Sequence, residues 1–194
     1  MKPRIVVLAS GSGSNFQSII NSINAKIIDA SIVRLIASRD GIGAIDKAIK
    51  AGIPFAVINK KTFDSTEHFE SVLLRELTDA QPDLIVLAGY LVQVPVPIIR
   101  AFEGKIINIH PSLLPAYGGK GYYGLKVHSA VIQDKQKESG CTVHMVTEEY
   151  DEGPILAQSK VPVLDEDTPE SLAARVLAKE HEILPITIKH LLNQ

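Results

Sequence analysis

Arg4-Ile5-Val6-Val7-Leu8-Ala9-Ser10-Gly11-Ser12-Gly13-Ser14-Asn15-Phe16 is the stretch on which the fold turns. Ile5 to Ala9 are apolar without alternation, the pattern of a strand buried on both faces. The glycine-serine run then breaks the strand. Beyond it Phe16, Ile19, Ile20 and Ile23 recur at helical spacing, which predicts a helix over Asn15–Ile23. A buried strand, a tight turn and an amphipathic helix form the first unit of a doubly wound sheet.

The same alternation continues outward. Strands are predicted at Ser31–Ser38, Pro54–Ile58, Asp83–Ala88 and Lys105–His110. Between them lie helices at Ile42–Ala51, from an N-cap at Thr66 through Leu77, and at Val96–Phe102. Strands separated by helices imply right-handed crossovers and a mainly parallel sheet with helices on both faces. The class expected is therefore α/β, with a Rossmann-like N-terminal half. Further on come a glycine- and tyrosine-rich loop at Tyr117–Gly124, a helix near Lys126–Lys135 and strands at Cys141–Val146 and Ile155–Val161. A long last helix starts at Thr168-Pro169, and Pro185 is expected to kink or break it. No repeat or linker divides the chain. One domain over 1–194 is expected, with a phosphate- or nucleotide-binding half over about 1–100 and a catalytic half over about 101–194.

Composition narrows the function classes. Of 194 residues 45% are hydrophobic and 22% charged, which suits an ordinary globular protein and excludes a disordered chain. A formal net charge of −2 gives no global field toward nucleic acid or an anionic membrane, so an anionic ligand needs a local site. Cys141 is the one cysteine, which excludes an internal disulfide and a cysteine-built metal cage. Six histidines are scattered with no H-x-x-x-H pair, and no metal site is expected. The apolar run after Arg4 is too short for a signal-peptide core. Leu84–Ile99, the longest uncharged stretch, is interrupted by Gly89, Gln93, Pro95 and Pro97. A cytoplasmic protein is expected, as monomer or homodimer, with small-molecule substrates and neither nucleic-acid nor membrane partners.

Three segments carry candidate chemistry. In Gly11-Ser12-Gly13-Ser14-Asn15, backbone N–H groups at a helix start converge on a point where a phosphate fits, although a plain serine-capped turn has the same pattern. A dinucleotide fingerprint needs a further glycine where Phe16 stands, so a single phosphate suits the loop better. In Asn108-Ile109-His110-Pro111, Asn108 and His110 share one strand face, and Pro111 ends the ladder at the sheet edge where α/β ligands bind. Asp151-Glu152-Gly153-Pro154 is an acidic turn that would orient His110 if it lay beside it. Histidine works as acid or base near its ordinary pKa of about 6.5. An asparagine amide can donate to an oxyanion. Cys141, Val143 and Met145 share a face that reads as core, leaving no nucleophile for covalent work. Asn, His and Asp without a nucleophile suit direct acyl transfer, or hydrolysis if water replaces the acceptor.

Those segments, with Leu87-Ala88-Gly89-Tyr90 and Asn108-Ile109-His110-Pro111-Ser112-Leu113-Leu114-Pro115, resemble the phosphoribosylglycinamide formyltransferase family over nearly the whole chain. The resemblance implies transfer of a formyl group from 10-formyltetrahydrofolate to the amine of glycinamide ribonucleotide, a step of purine synthesis, without metal. It implies that Gly13, Ser14 and Asn15 hold the substrate phosphate and that Glu180 meets the ribose. Asn108 and His110 would bind the formyl oxygen, with His110 as general acid, its pKa raised by Asp151, and Asp151 relaying protons. Leu91, Val92, Gln93 and Val94, with Asn108, would line the folate pocket, and His144 would support the site. His68, His128, His181 and His190 are expected to be surface or packing residues, and the 111–123 loop to be mobile. Thr66 and Val92 stand where many members carry an arginine, and Lys60 or Lys61 is a substitute for the first.

Related formyltetrahydrofolate hydrolases usually carry a further domain before the first strand, and methionyl-tRNA formyltransferases one after the last. Neither is expected for a chain of this length. A non-catalytic nucleotide-binding module would not need Asn108, His110 and Asp151 together, and Phe16 argues against a dinucleotide oxidoreductase.

Overall fold

The computed structural model describes residues 1–193. In chain order these form β1 (Arg4–Ala9), α1 (Ser14–Asn24), β2 (Ser31–Ala37), α2 (Gly43–Ala51), β3 (Phe55–Val57), α3 (Thr66–Ala80), β4 (Leu84–Leu87), α4 (Val96–Ala101), β5 (Ile106–His110), α5 (Leu125–Gln133), β6 (Glu138–Met145), β7 (Ile155–Pro162) and α6 (Pro169–Leu192). One seven-stranded sheet runs β3-β2-β1-β4-β5-β6-β7. The first five strands are parallel neighbours, and β5-β6-β7 are antiparallel.

The order reverses at β1 and β4, because β2 and β3 extend one way and β4 and β5 the other. Successive side chains of a strand face opposite sides. Ile5, Val7 and Ala9 of β1 accordingly pack with Phe16, Ile19, Ala44, Leu172 and Val176 from α1, α2 and α6. Val6 and Leu8 pack with Phe69, Leu73, Leu77 and Ile98 from α3 and α4. Ile5 to Ala9 are no more than 1% exposed, as an unalternating run between two helix layers must be.

Two local expectations change, and one further element appears. The cap of α3 is Ser65, whose Oγ accepts from the His68 N–H at 3.1 Å, while Thr66 is the first helical residue. Adjacent hydroxyl residues carry the same signal, and the reach to the third N–H selects Ser65. Pro185 does not end α6, which runs through to Leu192. Proline removes one backbone donor there, and Leu184 and Ile188 on either side are fully buried and hold both flanks to the sheet. A short 3-10 turn at Lys60–Thr62 follows β3, capped by the Asn59 side chain. Among the described residues no helix is long and apolar enough to cross a membrane.

Candidate active site

β5 delivers Asn108 and His110 to the carboxyl edge of the parallel strands, as their spacing requires. Antiparallel pairing then decides what faces them: Asn108 lies opposite His144 of β6, and His110 opposite Thr142. Directly opposed residues share a face and lie close. The Asn108 amide Nδ2 is 3.1 Å from His144 Nε2, and His144 Nδ1 is 2.9 Å from its neighbour's carbonyl, Met145 O. A carbonyl only accepts, so Nδ1–H donates to it, and Nε2 accepts from the amide. Asn108 is thereby turned with its nitrogen toward His144, and the second amide hydrogen is left for a ligand.

Asp151 arrives from the turn that leads into β7. Its φ of +59 is in the left-handed region, a strained place for a residue with a side chain. The carboxylate stands between two imidazoles. Oδ2 is 3.6 Å from His110 Nδ1 and accepts the Gly119 N–H at 2.9 Å, while Oδ1 is 3.6 Å from His144 Nε2. At 3.6 Å both separations exceed a hydrogen bond, and each becomes an ion pair only when its imidazole is protonated. Burial alone would raise the Asp151 pKa, but His144, His110 and the Gly119 N–H together bring it below the ordinary carboxylate value.

His110 is 5% exposed, and its Nε2 is 2.8 Å from Tyr117 O. Its pKa is lowered: burial outweighs Asp151 and the Tyr117 carbonyl, both of which favour the imidazolium. The expected net rise is thus corrected, because the raising effect of Asp151 is present but smaller than the desolvation. His128 of α5, expected as surface or packing, is buried with Nδ1 unpartnered, and burial first and then His110 push its pKa down to about 4. Thr142 supports the chain after His110, its hydroxyl donating to Ser112 O at 2.6 Å and accepting from Leu114 N–H at 3.0 Å. Cys141 is fully buried, and its thiol is pushed up to about 12 by burial, in keeping with core packing.

A cleft opens beside this cluster. Val92, Gln93, Val94, Asn108, His144 and Asp151 line it, so four of the five residues expected at the folate pocket are there. Leu91 is not: it is 60% exposed, with its N–H held by Ser10 Oγ at 2.9 Å. Tyr90, Ile99, Val146 and Tyr150 also line the cleft and were not singled out for it. Tyr90 ends the Leu87-Ala88-Gly89-Tyr90 segment, where Gly89 takes φ +68 at the turn after β4, and that turn was the available signal.

The glycine-serine loop lies at the neighbouring strand end. Gly13 caps α1 at φ +73, with no side-chain cap, so the helix start keeps its N–H groups for a ligand. Ser14 and Asn15 open the helix, and Phe16 is fully buried beneath it. The Asn15 amide donates to Glu180 Oε2 of α6 at 2.6 Å, while Asn15 Oδ1 is buried without a partner. Burial raises the Glu180 pKa, and the Asn15 bond opposes it. Residues from about 1–100 and about 101–194 therefore meet in both the cleft and the loop. Among the described residues no group of three or more His, Cys, Asp or Glu is placed to hold a metal.

Residues 3–188 match the family model described as formyl transferase. The chain is 45% identical over 182 residues to a chloroplastic phosphoribosylglycinamide formyltransferase of Vigna unguiculata, covering 94% of this chain and 58% of that one. It is 36% identical to the phosphoribosylglycinamide formyltransferase of Escherichia coli, covering 95% of this chain and 84% of that one. A crystal structure of phosphoribosylglycinamide formyltransferase from Brucella melitensis superposes with a TM-score of 0.91 at 42% identity, covering 100% of this chain and 97% of the other. The chain thus spans a little over half of the plant relative and nearly all of the Brucella one.

Proposed function

Because the chain belongs to the phosphoribosylglycinamide formyltransferase family, we propose that it transfers the formyl group of 10-formyltetrahydrofolate to the primary amine of glycinamide ribonucleotide. Reaction is by direct attack, within purine biosynthesis. The observation that carries this is the Asp151 carboxylate standing 3.6 Å from both His110 and His144, beside the Asn108 amide.

Gly13, Ser14 and Asn15 hold the ribonucleotide phosphate at the start of α1, and Glu180 meets the ribose. The Asn15–Glu180 hydrogen bond supports this, since it fixes the loop and the last helix together at a helix start that has no side-chain cap. Val92, Gln93 and Val94 flank the folate ring in the cleft, and Asn108 reaches its formyl group. The amine nitrogen attacks the formyl carbon, and the carbonyl electron pair moves onto oxygen. Asn108 N–H and protonated His110 stabilise that oxygen, the first by a hydrogen bond and the second by charge and a proton. Collapse of the intermediate breaks the bond from the formyl carbon to the folate nitrogen. Asp151 takes the proton the amine loses and passes it to the folate nitrogen as that bond breaks, so no proton is gained or lost overall. Burial lowers the His110 pKa, so the reacting form is the fraction of the chain that already carries the imidazolium, with Asp151 as its counter-charge. The proton lent to the oxygen returns to the ring as the carbonyl re-forms. The donor is a co-substrate, no metal takes part, and the reaction is cytoplasmic.

Incubation with donor labelled in its formyl carbon tests the proposal. The label should appear on the ribonucleotide amine by mass spectrometry. Label found only in free formate would replace transfer by hydrolysis.

A further inference from the structure

The two ring nitrogens of His110 have different surroundings. Nε2 lies 2.8 Å from the Tyr117 carbonyl. Because a carbonyl only accepts, Nε2 keeps its hydrogen in both protonation states of the ring. Nδ1 faces Asp151 Oδ2 at 3.6 Å and is the nitrogen left free to gain or lose a proton.

The carbonyl is itself held in place. Tyr117 sits at φ +54, a left-handed conformation that costs a residue with a side chain and persists only under constraint. Its phenol donates to Asp134 Oδ2 at 2.8 Å, on the residue that caps the end of α5. Its ring meets Tyr122 edge-on at 5.8 Å, and Ser112 Oγ donates to the preceding Ala116 carbonyl at 2.6 Å. Two residues on, the Gly119 N–H donates to Asp151 at 2.9 Å. Between them a Cβ on Gly118 would come within 2.6 Å of Leu114 Cδ2 and 3.4 Å of Asp151 Cβ. Residues 117–119 thus touch both members of the acid–base pair with backbone atoms alone.

We propose that Tyr117 is a positioning residue for formyl transfer: its phenol, pinned to Asp134, holds its own carbonyl on His110 Nε2–H and so reserves Nδ1 for the proton given to the formyl oxygen. This rests on the transferase reading above. A free neutral imidazole exchanges its hydrogen between the two nitrogens, and the partner of one sets the state of the other. With Nε2–H engaged, the bare Nδ1 lone pair confronts a carboxylate, and that draws a proton onto the atom which must give it. The ionisable groups around the ring are Asp151 from the turn before β7, His144 from β6 and His128 from α5, and none of them contacts Nε2.

Nitrogen-15 spectra of the histidine rings in the full chain, without substrates, test the assignment directly. His110 is identified by the signals lost in His110→Gln. The neutral ring should carry its hydrogen on Nε2, and acid titration should move the Nδ1 resonance. A neutral ring protonated on Nδ1 overturns the proposal whether or not the protein transfers formyl groups. Tyr117→Phe removes only the phenol oxygen and should give a mixture of tautomers. Its kcat/KM profile should shift to lower pH, because the carbonyl bond favours the imidazolium. Turnover should fall by about threefold to tenfold, the range of one hydrogen bond, with both KM values held within about twofold. Asp134→Ala should reproduce those changes, and Asp134→Asn, which still offers an acceptor oxygen, should restore the normal profile. A lowered melting temperature with an unshifted profile and a single tautomer would make Tyr117 merely structural, and so would contradict the proposal. Failure of the unaltered chain to transfer label would instead defeat the transferase reading and leave the spectra to decide the tautomer.

Discussion

Asn15 Nδ2 donates to Glu180 Oε2 at 2.6 Å, joining the loop after the first strand to the last helix across 165 residues. The bond is buried, and Asn15 keeps a second polar atom, Oδ1, with no partner of its own. Two distant segments are thus locked together at a helix start whose N–H groups have no side-chain cap. That geometry suits a site completed by its ligand.

Glu180→Ala should therefore act on substrate binding before chemistry. It strands the Asn15 amide donor, which costs on the order of 1–3 kcal/mol in a buried setting. The KM for the ribonucleotide should rise by about tenfold or more, against a small change in KM for the folate donor. Glu180→Gln keeps an acceptor for Asn15 and should recover most of the loss. Equal effects on both KM values would separate Glu180 from the ribonucleotide.

Gly13→Ala tests the phosphate loop. The φ of +73 disfavours any side chain there, and the new methyl would meet Ala44 Cα and Cβ at 2.8 Å. The start of α1 must shift away from α2. Ribonucleotide binding should weaken, and stability should fall by about 1–3 kcal/mol, measured by urea unfolding. Unchanged calorimetric affinity for the ribonucleotide in a folded variant would remove the loop from the site.

His110→Ala and Asp151→Asn should each lower kcat by about two decades or more, the usual cost of losing a positioned acid–base group. Their binding of both substrates should change much less. Near-normal turnover in either would sink the roles assigned to the pair.

Acid should destabilise the fold through the buried histidines. His128 titrates at about 4 in the folded chain and at about 6.5 when unfolded, so the unfolded state takes up the proton first. Stability is therefore fully present above about 6.5 and is lost as pH falls toward about 4, at up to about 1.4 kcal/mol per pH unit for one such group. His110 is shifted in the same direction. Urea midpoints taken across that window should fall more gently for His128→Gln than for the unaltered chain. Parallel curves would show that His128 does not contribute.

The strand-turn-helix start was legible because an unalternating apolar run has one stable home, between two helix layers, and Val6 and Val7 do face opposite ones. Asn108 and His110 were legible from their two-residue spacing and the proline behind them. Spacing did not reveal their partners, Asp151 and His144, which the family resemblance alone supplied. His144 reaches Asn108 through the antiparallel register of β5 and β6, and a mainly parallel reading does not supply that register. Asp151 reaches His110 only because β6 and β7 fold back as a pair, which residue separation along the chain cannot reveal. His128 was read only as a surface or packing residue, because its burial and its neighbour, His110, depend on how α5 seats on the sheet. Leu91 was carried to the cleft with Val92 to Val94, yet its backbone is drawn toward Ser10 and its side chain faces outward.

Donor turnover measured with and without glycinamide ribonucleotide tests the central claim most directly. Tetrahydrofolate should be released from 10-formyltetrahydrofolate only when the ribonucleotide is present, in step with formylated product. Release at the same rate without the ribonucleotide would contradict the account and make the cluster of Asn108, His110 and Asp151 a hydrolytic one.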